Sequence, residues 1–287
     1  KRRMDKVSLN MLISIIIPVF NTSPKLIDEC LKSIELHLKK WRESIEVIIV
    51  NDGSTSEDTI KYLSESNYTV LNQSNKGLPS ARNFGIFHAS GKYIFPLDSD
   101  DIVSEYIGLY INELIDNKNI DVLFGDLYTF GDADHIYKLD KTTKLEFFLD
   151  DKFIPSCSIY KRDLWKELNG YDESFITSED YDFYCRAFSI NAKFKYMEMP
   201  NYYWRIIKNS QSLSQKNEKL FREYQLRSRN KTLLSTLSKQ DINDYITQKL
   251  KNKKHRLLGL FIYLASPRIY LFLNKLRIFS YGTNFIK

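Results

Sequence analysis

Three short apolar segments, each followed by polar side chains, limit the folds open to this chain. Residues 12–17, 47–50 and 93–97 consist almost wholly of branched aliphatic and aromatic side chains, and Pro18 ends the first of them. Between the first two segments, apolar residues recur at helical spacing over residues 27–38. Strands that alternate with amphipathic helices predict a parallel sheet with right-handed crossovers. We therefore predict a Rossmann-like α/β fold with a mostly parallel central sheet flanked by helices.

The third segment ends in three carboxylates within four positions, Asp98, Asp100 and Asp101, with Ser99 among them. Like charges that are buried together are unfavourable unless a cation offsets them. Hard divalent cations, which prefer oxygen ligands, supply such an offset. In open α/β sheets ligands also bind at the carboxyl ends of strands. The alternative is a solvated acidic turn in which Ser99 and the aspartates cap the next helix.

The first two segments end in Asn21 and Asp52, which a parallel sheet brings to the same edge. A buried Asp52 is suited to accept a hydrogen bond from the imide N–H of a base. Backbone near Pro18 and Phe20 is suited to supply further contacts to the base. The sequence therefore predicts a nucleotide site at this edge of the sheet.

A further segment, residues 77–85, begins with Gly77 and leads into a predicted helix. Arg82 lies near the start of that helix, where it is suited to pair with a phosphate. The alternative for Arg82 is a cation on the helix surface with an ordinary salt bridge. The chain contains neither a G-x-G-x-x-G nor a P-loop pattern, which argues against a dinucleotide dehydrogenase or an ATPase.

The second half of the chain contains an acidic helix start. Thr177 or Ser178 is placed to cap a helix whose first turn holds Glu179, Asp180 and Asp182. Acidic residues are common in a first turn because they complement the helix dipole. The functional interpretation is that one of these carboxylates points into the crevice as a general base.

Residues 14–21, 51–54, 77–83 and 91–101, in this order and spacing, resemble the family 2 glycosyltransferases of the GT-A fold. The resemblance covers roughly residues 12–214, and the Gly-Tyr-Asp and Glu-Asp-Tyr-Asp segments resemble the acceptor-site motif of the same family. It implies an inverting transferase. Such an enzyme moves a hexose or N-acetylhexosamine from a UDP-sugar to a hydroxyl of a glycan, lipid-linked or glycopeptide acceptor.

The resemblance also implies a role for each candidate residue. Asp52 would bind the uracil ring and Asp98 the ribose, and Asp100, with Asp98, would ligate Mn²⁺ or Mg²⁺. Asp180 would be the general base, with Glu179 as the second choice. The remaining residues of the donor-nucleotide pocket would be Pro18, Phe20, Asn21, Gly77, Arg82 and Ser99. Many relatives carry a metal-binding His after a Tyr-x-Arg segment, and this chain has none there. Either Arg205 or Lys208 then meets the diphosphate directly, or the metal is held by Asp100, donor oxygens and water.

Charge and length predict how the chain is divided. Lys and Arg crowd the last quarter of the 287 residues, and the formal net charge is +6. We predict an N-terminal tail (1–11), a catalytic domain (12–215) and a basic helical region (216–287). The catalytic domain would comprise a nucleotide-sugar half (12–101) and an acceptor half (102–215).

The basic region 216–287 suits peripheral contact with an acidic membrane surface. The alternative is a small helical subdomain that packs on the catalytic domain or on a second copy of the chain. No nucleic-acid partner is expected.

The three cysteines are far apart, which favours buried thiols in a reducing compartment over disulfides. The apolar run over residues 11–20 has no small-residue cleavage site. The expected location is cytoplasmic, with the inner face of the plasma membrane as the site of any peripheral contact.

Two other functions fit parts of this pattern. A sugar nucleotidyltransferase also combines parallel strands with acidic metal ligands, but it needs a glycine-rich triphosphate loop after its first strand. Residues 18–23 do not resemble such a loop. A non-catalytic module that binds a nucleotide or a sugar is the third interpretation.

Overall fold

The computed structural model describes residues 11–139 and 153–207, together with 223–225, 228 and 232. All of these lie in one compact unit, Lys1–Thr232. The predicted boundary at residue 215 and Lys208 lie outside the described residues, as do nearly all of the predicted tail and of the region 216–287. Those predictions stay predictions.

The helices within residues 11–207 are α1 (Pro24–Leu38), α2 (Glu57–Ser64), α3 (Leu78–His88), α4 (Ile107–Asp116), α5 (Arg162–Glu167) and α6 (Glu179–Ser189). A 3₁₀ helix, Lys39–Ser44, follows α1. The strands are β1 (Ile13–Val19), β2 (Ile45–Asp52), β3 (Thr69–Gln73), β4 (Tyr93–Pro96), β5 (Ile102–Val103), β6 (Val122–Gly125), β7 (Leu127–Gly131), β8 (Ile136–Tyr137), β9 (Ile159–Lys161), β10 (Phe194–Met197) and β11 (Tyr202–Ile206).

The central sheet has seven strands in the order β10-β6-β9-β4-β1-β2-β3. All neighbours in it are parallel except β9, which is antiparallel to both β4 and β6. The prediction of a mostly parallel α/β sheet is therefore confirmed. Since β4, β1 and β2 are adjacent and parallel, their carboxyl ends form one continuous edge.

Strand β1 is longer than its sequence pattern predicts, because it continues through Pro18 to Val19. Pairing with β4 ends at Ile16, opposite Pro96, whereas pairing with β2 continues past Pro18. Proline has no N–H to donate and is tolerated where no ladder bond is required of it. Because β4 no longer pairs with β1 at Pro18, no backbone N–H is needed there on the β4 side.

A second sheet, with the order β5-β11-β7-β8, was not expected from the sequence. The apolar pattern of residues 121–128 predicts a single strand. In the structure, Asp126 separates β6 from β7. The buried Asp126 carboxylate accepts hydrogen bonds from Lys138 Nζ (2.6 Å), the Leu139 amide (3.0 Å) and the Tyr196 hydroxyl (2.5 Å). These partners are distant from Asp126 in sequence, so local periodicity does not reveal the break.

The core lies between the central sheet and the helices. The apolar side of α1 is buried, as are β1, β4 and β6 along their whole length. Cys30, Cys157 and Cys185 are buried free thiols, as the sequence predicts.

Gly125 in β6 leaves no room for a side chain. A Cβ atom at this position would overlap the Tyr110 hydroxyl and the Met199 carbonyl, which are themselves hydrogen-bonded to each other (2.5 Å). We expect Gly125→Ala to lower the free energy of unfolding by about 1–3 kcal/mol, because the overlap displaces a buried hydrogen bond. Urea unfolding followed by circular dichroism measures this loss. As a control, Thr69→Ala on the exposed face of edge strand β3 should change the free energy of unfolding by less than about 0.5 kcal/mol. Equal urea midpoints for the two variants would contradict the expectation.

Candidate active site

The acidic segment, residues 98–101, leaves the carboxyl end of β4 as a tight turn. The Leu97 amide still donates to the Ile16 carbonyl (2.9 Å), and the Asp101 amide then donates to the Asp98 carbonyl (3.0 Å). The next helix, α4, begins only at Ile107, with Tyr106 at its N-cap. The alternative in which these residues cap the next helix is therefore wrong, and their carboxylates serve another purpose.

Two members of the acidic segment are buried and held by the protein. The Ser99 hydroxyl lies 2.8 Å from the Thr22 hydroxyl, which joins the ends of β4 and β1. Asp101 accepts a hydrogen bond from the Arg205 amide (2.8 Å), and the Cys157 thiol lies 3.9 Å from its other oxygen. Burial, together with Asp100 and Asp98, raises the pKa of Asp101 well above its usual value. Asp101 thus serves to anchor the segment.

The other two members remain accessible. The Asp98 side chain is 28% exposed, and one of its oxygens accepts a hydrogen bond from Arg82 Nη2 (2.8 Å). The Asp100 side chain is half-buried and accepts a hydrogen bond from its own amide. Burial, followed by the charge of Asp98, raises the pKa of Asp100 to about 6. Arg82 already offsets the charge of Asp98, so Asp100 is the less compensated of the two carboxylates. Their oxygens suit Mg²⁺ or Mn²⁺, both of which favour oxygen ligands.

The same segment also contributes to a second set of candidate metal-binding atoms. Carboxylate oxygens of Asp98 and Asp101 and the Cys157 sulfur lie within 4.8 Å of one another. Burial raises the pKa of the Cys157 thiol well above its usual value, so the protonated form is favoured. A protonated soft ligand is poorly matched to a hard cation. The oxygen pair of Asp98 and Asp100 fits the predicted metal better.

Asp52, at the end of β2, is buried and holds the loop that leads into α3. Its carboxylate accepts hydrogen bonds from Gln73 Nε2 (2.7 Å) and from the amides of Lys76 (2.9 Å) and Gly77 (2.9 Å). Gly77 has φ 89°, a left-handed conformation that favours glycine. The geometry explains why a glycine precedes α3 and why an aspartate faces it. Its predicted contact with the base stays a prediction, and in the structure Asp52 fastens the β3–α3 loop to the end of β2.

The end of β1 forms the adjacent wall. Pro18 is buried, whereas Phe20 is 49% exposed at the rim. The Asn21 side-chain oxygen accepts hydrogen bonds from the amides of Thr55 (2.7 Å) and Ser56 (2.9 Å). Asn21 therefore fastens the β2–α2 loop to β1, and both Phe20 and Asn21 are exposed to solvent.

Arg82 is fully buried between the two halves of the site. Its Nη2 donates to Asp98 Oδ1 (2.8 Å), and its Nη1 donates to Glu179 Oε1 (2.6 Å). Burial opposes the charge, but Asp98 and Glu179 together raise the pKa of Arg82 well above its usual value. The alternative of a cation on the helix surface is therefore wrong, because Arg82 is buried and has two carboxylate partners.

Glu179 and Asp180 open α6 and face the same region. Ser178, the N-cap residue, has φ 60° and its side chain makes no capping hydrogen bond. Burial raises the pKa of Glu179 to about 7, although Arg82 opposes the shift. Burial likewise raises the pKa of Asp180, again opposed by Arg82. The raised values bring both carboxylates nearer to the range in which a general base operates at neutral pH.

Arg205, on β11, is held behind the acidic segment. Its Nε donates to the Asp100 carbonyl (2.6 Å) and its Nη2 to Glu29 Oε2 (2.7 Å). The guanidinium carbon lies 4.4 Å from the centre of the Phe130 ring. Glu29, Phe130 and Thr22 were not expected at the site, and no local motif marks them, since each acts through a partner far along the chain.

Direct contacts thus join Asp98, Arg82 and Glu179, while Asp52, Pro18 and Asn21 lie at or just after the carboxyl ends of the adjacent strands β2 and β1. A model of glycosyl transferase family 2 matches residues 14–189, more than half of the chain. The chain belongs to glycosyl transferase family 2. Both the family and the class of enzyme, a transferase, agree with the sequence-based predictions.

Relatives and solved structures agree with the family. This glycosyltransferase is 30% identical over 264 residues to the uncharacterized glycosyltransferase EpsJ of Bacillus subtilis, covering 82% of this chain and 74% of EpsJ. It is 36% identical over 131 residues to the glycosyltransferase GlyG of Streptococcus pneumoniae, covering 44% of this chain but only 42% of GlyG. The structure of S. aureus TarS 1–349 in complex with UDP-GlcNAc superposes with a TM-score of 0.59 at 20% identity, over 90% of this chain and 83% of TarS 1–349. This likeness confirms the GT-A fold.

Membrane contact was predicted only for the region 216–287. Among the residues that the structure describes, no helix combines the length and the apolar character needed to cross a membrane.

Proposed function

We propose that this chain is an inverting glycosyltransferase that moves a hexose or N-acetylhexosamine from a UDP-sugar to an acceptor hydroxyl. The acceptor would be a glycan, a lipid-linked sugar or a glycopeptide. The observation that carries the proposal is the convergence of Asp52, Asp98, Asp100 and the Glu179–Asp180 pair on one edge, with buried Arg82 between them. The UDP-GlcNAc complex of the structural relative TarS supports the choice of donor class.

The donor half of the site would hold the nucleotide. Asp52 would bind the base, with Pro18, Phe20 and Gly77 lining the same pocket, and Asp98 would contact the ribose. Asp98 and Asp100 would hold Mn²⁺ or Mg²⁺, which when bound supplies a Lewis acid that offsets the diphosphate charge. Arg205 and Lys208 stay predicted contacts of the diphosphate. In the structure, however, Glu29 and Asp100 already hold the Arg205 guanidinium.

The acceptor half would supply the base. Asp180 removes the proton from the acceptor hydroxyl as its oxygen attacks the anomeric carbon of the donor sugar. The bond between that carbon and the diphosphate oxygen breaks in the same displacement, and UDP leaves with the electron pair. Such a displacement passes through an oxocarbenium-like state, and a single displacement inverts the anomeric configuration. No covalent intermediate on the protein is needed.

A donor screen tests this function. The protein is incubated with a panel of UDP-hexoses and UDP-N-acetylhexosamines, with Mn²⁺ or Mg²⁺, and UDP release is measured with and without saccharide acceptors. We expect slow hydrolysis of one or a few donors, with faster release when a suitable acceptor is added. Pyrophosphate release from UTP and a sugar 1-phosphate would instead identify a nucleotidyltransferase. UDP-sugar binding without any turnover would identify a non-catalytic module.

A further inference from the structure

The buried guanidinium of Arg82 joins two parts of the site that belong to different halves of the chain. On one side it contacts Asp98, which follows β4, and on the other Glu179, the first residue of α6. The two contacts use its two terminal nitrogens, one each, at 2.8 and 2.6 Å. The Asp98 and Glu179 side chains therefore lie at a separation that the guanidinium spans.

We propose that Arg82 is a positioning residue that couples the donor site to the general base, instead of a residue that binds the nucleotide or its phosphates. By fixing Glu179 relative to Asp98, it fixes the first turn of α6 and with it the adjacent Asp180. This inference rests on the proposed function, since it assigns Asp98 to the donor side and Asp180 to the acceptor side.

The surroundings of Arg82 argue against a direct contact with phosphate. Its side chain is 1% exposed, and its Nε atom is buried with no hydrogen-bond partner among the described residues. Its guanidinium carbon lies 5.7 Å from the centre of the Tyr171 ring. A phosphate that reached Arg82 would have to displace one of the two carboxylates from a buried ion pair. A buried carboxylate left without its partner is strongly unfavourable, so that exchange is disfavoured.

The start of α6 shows why such a tether is needed. A helix usually begins at a residue whose side chain caps the free amides of the first turn. Here Ser178 occupies the N-cap position in a left-handed conformation, and its side chain does not cap the helix. Three carboxylates, Glu179, Asp180 and Asp182, crowd the same turn. The contact of Arg82 with Glu179 places a buried cation at this turn and joins it to the segment after β4.

Only an arginine spans both partners. The guanidinium directs two N–H groups along fixed, separate directions, whereas the lysine ammonium is a single point of charge on a flexible stem. Lysine at position 82 keeps the charge but not the fork. Arg82→Lys therefore tests the geometry of the coupling separately from its charge.

We expect Arg82→Lys to lower the kcat of UDP-sugar hydrolysis by about 100-fold, because a small displacement of the base is sufficient for such a loss. The donor KM and the Kd of UDP, measured by calorimetry, should stay within about threefold of the wild-type values, as for a residue that touches neither. Arg186→Lys is the matched control, because Arg186 pairs with Asp182 on the same helix (2.7 Å). Its kcat should change by less than about threefold.

Glu179→Gln provides the second variant, which is needed if Arg82→Lys does not fold. The glutamine amide oxygen can still accept a hydrogen bond from Arg82. We therefore expect a smaller fall in kcat than in Arg82→Lys, with the UDP affinity unchanged. In the Glu179→Gln background, the effect of Arg82→Lys should shrink, because coupled residues are not additive. A loss of UDP affinity in Arg82→Lys that matches its loss of kcat, full additivity of the two substitutions, or an unchanged kcat would each overturn the proposal. If the wild-type protein releases no UDP from any donor, it is the proposed function that fails.

Discussion

Asp180→Asn is expected to lower the rate of sugar transfer by about 100- to 10,000-fold, the usual contribution of a positioned general base. The amide is close in size to the carboxylate but cannot accept the proton. Asp180 accepts hydrogen bonds from the Tyr181 amide (2.8 Å) and from its own amide, and no salt bridge among the described residues engages its carboxylate. Donor affinity, measured as the Kd of UDP, should change by less than about threefold.

The same variant should change the pH profile. Burial raises the pKa of Asp180 above the usual aspartate value, with Arg82 opposing the shift. The charged, basic form is therefore lost at a higher pH than for an exposed aspartate, and the rate should fall as the pH drops through that raised pKa. Asparagine does not titrate, so Asp180→Asn should lack this acidic limb.

Two comparisons test this assignment. Asp163→Asn makes the same change at an exposed position on α5, where the carboxylate pairs with Lys166 (3.1 Å). This control should leave the rate of sugar transfer near the wild-type value. Near-normal turnover in Asp180→Asn, with a steep loss in Glu179→Gln, would transfer the role of base to Glu179. The pairing of Glu179 with Arg82 (2.6 Å) favours Asp180 instead, since that contact occupies a Glu179 oxygen that an acceptor hydroxyl would need.

Asp100→Ala is the substitution with the second-largest expected effect. Removing one of the two accessible carboxylates leaves Asp98 as the remaining ligand for the metal that is expected on the diphosphate. Metal stabilisation of a leaving group contributes several kcal/mol, so turnover at saturating donor should fall by roughly 100-fold or more. The apparent affinity for Mn²⁺, from the metal dependence of UDP binding, should fall by at least about tenfold.

The control for this variant is Asp134→Ala, which removes an exposed carboxylate from the loop between β7 and β8. Its Mn²⁺ titration should overlay that of the wild-type protein. A titration of Asp100→Ala that also overlaid the wild-type curve would reject Asp100 as a ligand. Insensitivity of the wild-type protein to EDTA would reject the metal itself.

The donor half of the fold was predictable from the sequence because its signals are local. Unbroken apolar segments, helical spacing between them and polar residues at their ends specify β1, β2 and β4 and the edge where they end. The glycine before α3 and the acidic residues that open α6 are likewise visible as short motifs. These patterns depend on neighbours within a few positions, which the sequence displays directly.

The second sheet was missed for the opposite reason. Its strands β5 and β8 have two residues each, and β11 gains its partners from β5 and β7, which lie far from it along the chain. Two-residue strands carry no periodicity of their own. Their pairing follows from how Asp126 and Arg205 connect distant segments, through contacts that appear only once the chain has folded.

The sequence by itself determined the family, the parallel α/β core and the set of polar residues at its carboxyl edge. The tertiary structure alone decided which of those residues are accessible and which are held by the protein. Arg82 and Glu179 are 97 positions apart, yet they form a buried ion pair that reassigns both. Such a pair forms because a buried charge without a partner is costly in free energy. Whether a residue is buried depends on how the whole molecule packs, and no single segment of the sequence shows it.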